Sequence, residues 1–217
     1  MRTAISIFGI FLIIVILHSC KKENNHYNIG GVVYDARNNE RLAGVNVSVN
    51  KQLVQSGTFN NNFSTAASGS TAEDGTFMLS WERENFAALE LECSKDQYIT
   101  VEKELEVDAF TVGALAMHTI NMHPESFVRV NIINNGITDP DDFLGFTFTN
   151  AQFECTCCSN GWREFDGGDI DTTFQCKLYG DTWLKYMVHS ISAGIDTTIH
   201  DSIYCPAFQT VQVDLTY

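Results

Sequence analysis

The chain has 217 residues, room for one large domain or two small ones. It is 44% hydrophobic and 12% aromatic with three prolines, which excludes wholesale disorder, collagen-like repeats and a polytopic membrane protein. A formal charge of −14 repels phosphate backbones, so nucleic acid is excluded as a partner class.

The N-terminus reads as an address. Met1-Arg2-Thr3 carries one positive charge and Ala4 to Leu17 is almost wholly apolar, the pattern of a secretory signal over residues 1–19. The polar run Lys21-Lys22-Glu23-Asn24-Asn25 ends the apolar stretch short of the ~20 residues a spanning helix needs. The stretch closes on Leu17-His18-Ser19-Cys20, which resembles a bacterial lipobox. That resemblance implies a diacylglyceryl thioether on Cys20, cleavage before it and N-acylation. The expectation is a lipid-anchored protein of the cell envelope, in the outer membrane, whose membrane partner is reached through Cys20. Residues 20–27 then form a polar tether.

Period-two alternation dominates the rest and helical periodicity is scarce. Val45/Val47/Val49, Phe77/Leu79/Trp81, Leu89/Leu91/Cys93 and Val128/Val130/Ile132 each alternate with other residues, separated by turn signals at Asn38-Asn39 and Glu73-Asp74-Gly75. Short strands between turns predict an all-β protein, two β-sandwich modules in tandem. Residues 51–72, rich in Asn, Ser, Thr, Gly and Ala, read as a long surface loop. Glu82–Ala88 suits a helical turn, and Ala109–Met117 a short helix or a bulged strand.

Within residues 28–123 the pattern is more specific. Ile29-Gly-Gly31-Val-Val33-Tyr-Asp35 and Leu42-Ala-Gly44-Val45-Asn-Val47-Ser-Val49 lead into Thr71-Ala-Glu73-Asp74-Gly75-Thr-Phe77-Met-Leu79, then Leu89 to Tyr98 and Ile120 to Pro124. The series resembles carboxypeptidase regulatory-like domains, and implies a transthyretin-like sandwich of about seven strands without catalytic residues. Gln97 departs from the family, which has Gly before this Tyr. The residues themselves fit: Gly44 and Gly75 supply turn geometry, and Tyr98 can bury its ring while its hydroxyl finds a backbone partner.

Residues 124–217 alternate again at Phe127–Ile132, Leu144–Phe148, Trp183–Val188, Ile203-Tyr204 and Val211–Leu215, predicting a second, cysteine-rich sandwich whose final strand is paired. Six cysteines remain once Cys20 is acylated. The disulfide candidates are Cys155, Cys157, Cys158, Cys176 and Cys205, with Cys176 and Cys205 each pairing into the 155/157/158 cluster and Cys93 buried and reduced. Cys-Thr-Cys-Cys lacks the two-residue gap of a zinc knuckle, so no metal is assigned. Asp166, Asp169 and Asp171, and likewise Asp139-Pro-Asp141-Asp142, read as polar turns.

Trp162 and Trp183 are candidate glycan contacts, because an exposed indole on a strand offers a stacking platform. Thr172, Thr197 and Ser202 lie in triplets resembling an Asp-Ser/Thr-aliphatic O-glycosylation acceptor, expected in exposed loops. Neither GxSxG nor HExxH occurs, and no cofactor is implied. The sequence therefore predicts a non-catalytic binding, adhesion or scaffolding protein with a glycan or another envelope protein as partner. The alternatives are a carbohydrate-binding accessory protein, which requires Trp162 or Trp183 in solvent, and an envelope hydrolase, which requires His, carboxylate and nucleophile in one cleft.

Overall fold

The computed structural model describes residues 25–55, 58–59, 62–134, 139, 141–151, 158–167 and 170–217. They form tandem β-sandwiches with no α-helix among them; a 3-10 turn at Val107–Ala109 is the one helical element. None of the described helical structure is long and apolar enough to cross a membrane.

The first eight strands are β1 (His26–Asp35), β2 (Asn46–Gln55), β3 (Thr58–Phe59), β4 (Ser64–Ser70), β5 (Thr76–Glu82), β6 (Phe86–Ser94), β7 (Val101–Leu105) and β8 (Leu115–Met122). One sheet has the order β5-β1-β8; the facing sheet runs β3-β2-β6-β7, with β4 also on β2. Alternate residues of these strands turn inward and make one core, with Ile29, Val33, Val47, Val49, Leu89, Leu91, Cys93 and Met122 at most 1% exposed. Gly44 and Gly75 adopt φ of +67° and +72°, as their turns require. The Asp74 carboxylate accepts the Thr76 amide and hydroxyl, locking the turn into β5.

Three local expectations are corrected. The stretch 51–72 is largely strand: β2 runs to Gln55 and β4 pairs with it from Ser70↔Asn46 onward. β4 is built of small residues on a mostly wet strand, so it shows no apolar alternation, and its order comes from the ladder. Glu82–Ala88 holds no helical turn, since β5 ends at Glu82 and β6 starts at Phe86. Ala109–Met117 is neither alternative as a whole; it passes from the 3-10 turn to β8 at Leu115.

The departure from glycine before Tyr98 has a physical reading. Gln97 sits at φ +64°, the left-handed region that costs a side chain about 1–2 kcal/mol. Gln97→Gly is expected to stabilise the protein by roughly 0.5–1 kcal/mol after its larger unfolded-state entropy is deducted, measurable by urea denaturation.

The remaining strands are β9 (Glu125–Ile133), β10 (Phe143–Phe148), β11 (Arg163–Asp166), β12 (Asp171–Tyr179), β13 (Thr182–Ser192), β14 (Ile195–Cys205) and β15 (Thr210–Thr216). They form a sheet β11-β10-β13-β14 over a sheet β12-β9-β15, with β15 parallel to β9, so the final strand is paired as expected. The second core holds Val128, Val130, Ile132, Leu144, Phe146, Phe148, Leu178 and Leu184. Asp142, in the expected polar turn, is 2% exposed; it accepts the Ala193 and Asp139 amides and the Asn134 side-chain amide. These bonds hold the β13–β14 turn, where Ala193 and Gly194 both have positive φ.

The two cores meet at a polar and aromatic joint. Asp35, 2% exposed, accepts the Arg37 amide (2.9 Å), Arg37 Nη2 (2.7 Å) and the Tyr98 hydroxyl (2.9 Å). The partner of Tyr98 is thus a carboxylate and not the backbone. Arg37 reaches on to Asp181 at 3.5 Å and lies 4.9 Å over the Phe208 ring, which itself meets Tyr98. His123 stacks on Tyr179 at 4.1 Å, and Gly180 donates its amide to the Pro124 carbonyl.

Candidate functional site

Strand parity decides what the sheet β11-β10-β13-β14 shows to solvent. Leu184, Tyr186 and Val188 of β13 are buried, so Trp183, Lys185, Met187 and His189 project outward. Phe146 pairs with both Val188 and Arg163, which puts Gly145, Thr147 and Glu164 on the outer face, with Trp162 preceding β11 on the same side. Tyr204 pairs with Trp183 and shares that face.

Trp162 lies flat on Gly145. A Cβ added at Gly145 would meet the indole at 2.0 Å, so only glycine lets the ring settle on the strand backbone. Its Nε1 donates to Glu164 at 2.9 Å and fixes the ring's orientation. The indole remains 41% exposed, a flat apolar surface presented to solvent. Trp183 is 59% exposed and meets the Tyr204 ring at 5.5 Å, forming a second aromatic surface across β13 and β14. Burial and the bond from the Tyr204 hydroxyl to Asp181 hold that phenol's pKa above its usual value. Beside this pair a hollow of about 300 Å3 is lined by Thr149, Lys185, Tyr186, His200, Asp201 and Ser202, a set rich in hydrogen-bonding groups. Asn150 completes the rim: its amide donates to the Trp183 carbonyl and accepts the Lys185 amide.

A larger hollow, about 540 Å3, lies between β7 and β8 with Glu102, Lys103, Asn121 and Tyr179 among its lining. Nearby His118 has its pKa lowered by burial and by Lys103. It has no exposed tryptophan and is the open side of the first sandwich, where both sheets end.

His189 and Asp196 pair at 2.9 Å on the outer face, with Phe143 edge-on to the imidazole. Asp196 is 69% exposed at its side chain, so this pair is open to water and not enclosed in a cleft. Among the described residues no three His, Cys, Asp or Glu gather into a metal-binding group.

Cys158 and Cys176 form a disulfide that closes the segment carrying Trp162 and β11. Cys205, expected to pair with the same cluster, is a free thiol with no exposure, its pKa pushed up to about 11 by burial. It ends β14 opposite Thr182, whereas Cys176 lies on the facing sheet, opposite Val128 of β9. Cys93 is likewise a buried free thiol, raised to about 12. Cys20, Cys155 and Cys157 lie outside the described residues, as does Asp169. The three acceptor candidates stand in strands instead of loops: Thr172 is half-buried in β12, while Thr197 and Ser202 are exposed on β14. Each triplet carries one Asp and was expected in an exposed loop, but cross-strand pairing takes all three into ladders. Trp81, which alternates like the other tryptophans, is 5% exposed and belongs to the first core.

Gly145 and Glu164, which seat and orient the Trp162 ring, are positions that sequence reasoning passed over. A glycine inside an apolar strand was the available signal for a ring lying against the backbone.

No protein-family model and no curated protein matches the chain. Among solved structures, the Bacillus anthracis TIE protein aligns over 88% of this chain at 9% identity and a TM-score of 0.35, and the chain spans 34% of that protein's length. The minor pilin GBS52 of Streptococcus agalactiae aligns over 88% of this chain and 94% of its own, at 10% identity and a TM-score of 0.34. The shaft pilin SpaA of Lactobacillus rhamnosus GG aligns over 88% and 97%, at 10% identity and a TM-score of 0.32.

Proposed function

We propose that the chain is an acylated cell-envelope lipoprotein that binds glycans without catalysis, using the outer face of the β11-β10-β13-β14 sheet. One observation carries the reading: both Trp162 and Trp183 stand in solvent on that face, each held by neighbouring groups. Sugar rings present C–H faces that stack on indoles, and their hydroxyls pair with polar groups at the rim. Glu164, Lys185, Asn150 and Ser202 are placed to serve them. The lipid on Cys20 would hold the protein at the outer membrane, with the first sandwich as spacer.

The test uses the full chain in detergent, assayed for retention by insoluble and immobilised polysaccharides. Trp162→Ala and Trp183→Ala are each expected to weaken retention about fivefold, in keeping with an aromatic contact of about 1 kcal/mol. Retention unchanged in both variants rejects the face. Radiolabelled palmitate should enter the wild type and not Cys20→Ser; equal labelling rejects the anchor.

A further inference from the structure

β14 is an edge. It pairs with β13 through eleven positions, from Thr182↔Cys205 to Ser192↔Ile195, and no described strand pairs with its other side. A strand that covers a core buries every second residue, yet Ile195 to Ser202 are all exposed. Ile195 is 68% and Ile199 51% exposed. Lysine, proline and bulges guard most free edges, and β14 has none of them. Its single charge on the isoleucine side is Asp201, which accepts the Tyr186 hydroxyl at 3.1 Å.

We infer that β14 is an association edge whose occupant is β14 of a second copy, antiparallel about a two-fold axis at Ile199. In that register Ile195 faces the second copy's Ile203, Ile199 faces itself, and Thr197 faces Asp201, whose carboxylate can accept its hydroxyl. On the other side of the strand Asp196 faces Ser202 and Thr198 faces His200. No like charges stand opposed, which matters for a chain of net charge −14. Shifting the axis to His200 would instead set each exposed Ile199 against an Asp201. A two-fold axis normal to the sheet keeps both outer faces on one side, so the two four-stranded sheets become one continuous sheet. The pairing stands whether or not that face binds glycans.

Cysteine crosslinking of the full chain in membranes tests the register. Paired antiparallel residues have Cα atoms about 4.5–5.5 Å apart, within disulfide reach. Ile199→Cys is expected to give a covalent dimer on mild oxidation. His200→Cys, offset from its own copy by more than roughly 7 Å, is expected to stay monomeric. Ile199→Lys should raise the dimer dissociation constant roughly tenfold in sedimentation of the detergent-solubilised chain, with an unchanged thermal melt. Trp162→Ala should dimerise like the wild type, separating this result from failure of glycan binding. Absence of the Ile199→Cys crosslink, equal crosslinking by His200→Cys, or unaltered sedimentation of Ile199→Lys overturns the inference.

Discussion

Replacing Asp35 with alanine is expected to lower the unfolding free energy by about 2–3 kcal/mol, because it removes the acceptor shared by Arg37 and Tyr98 and leaves the guanidinium only its longer contact to Asp181. The carboxylate is nearly inaccessible and is the shared acceptor for Arg37 and Tyr98. Arg37 also reaches Asp181 and Phe208 across the joint, so losing its anchor frees a side chain that touches both sandwiches. Guanidinium chloride denaturation followed by intrinsic fluorescence measures the loss. A cost below 1 kcal/mol would show that water restores the lost bonds and that the joint bears little of the stability.

The same group sets part of the acid sensitivity. Burial by itself pushes the Asp35 carboxyl up, but hydrogen bonds from the Arg37 side chain and amide and from Tyr98 outweigh it and hold the pKa below the usual range. A carboxyl with a depressed folded pKa contributes stability in full above its unfolded value, about 3.9. That contribution disappears as pH falls through the folded value. Asp35→Asn should therefore flatten the decline in stability below about pH 4 while costing stability at neutral pH.

The second large effect belongs to the Cys158–Cys176 bridge. Cys158→Ser with Cys176→Ser should destabilise the second sandwich by about 3 kcal/mol, the scale for a crosslink that closes a short loop in the unfolded chain. The sequence separation is 18, and the closed segment contains Trp162 and β11. Arg163, in the same segment, lies 4.4 Å over Phe174 on β12, so the loop is also packed from within. Calorimetry of the double variant against the wild type gives the change. Native iodoacetamide labelling should spare Cys93 and Cys205 in both proteins, since both thiols are buried and shifted well above neutral pH. Labelling of Cys205 in the folded variant would show that the core itself had opened.

Much of the fold is legible because half-buried strands alternate. Val47/Val49, Leu89/Leu91 and Val128/Val130/Ile132 mark β2, β6 and β9 without reference to any partner strand. The signal vanishes where a strand lacks a dry face. β4 is built from Ser, Thr, Ala and Gly, and most of β14 is wet on both sides, so neither shows the pattern along its length. β12 escapes for a related reason: its residues Asp171 to Cys176 alternate between half-buried and exposed and never reach full burial. The proposed binding face was legible only as two tryptophans. Their exposure, and the glycine beneath one of them, follow from a register that joins residues far apart in the chain.

The amino-acid sequence by itself determined the strand-rich composition, the inward residues of most core strands, the acidic charge and the turns at Gly44 and Gly75. Those properties are local or additive, so neighbouring residues carry them. Tertiary structure decided which cysteine met Cys158, that Cys205 stayed alone, that Trp81 went inside and Trp162 and Trp183 outside, and that Arg37, anchored on Asp35, touched both sandwiches. Each of these depends on which strand lies beside which, and that choice is made by packing over separations that no local pattern records.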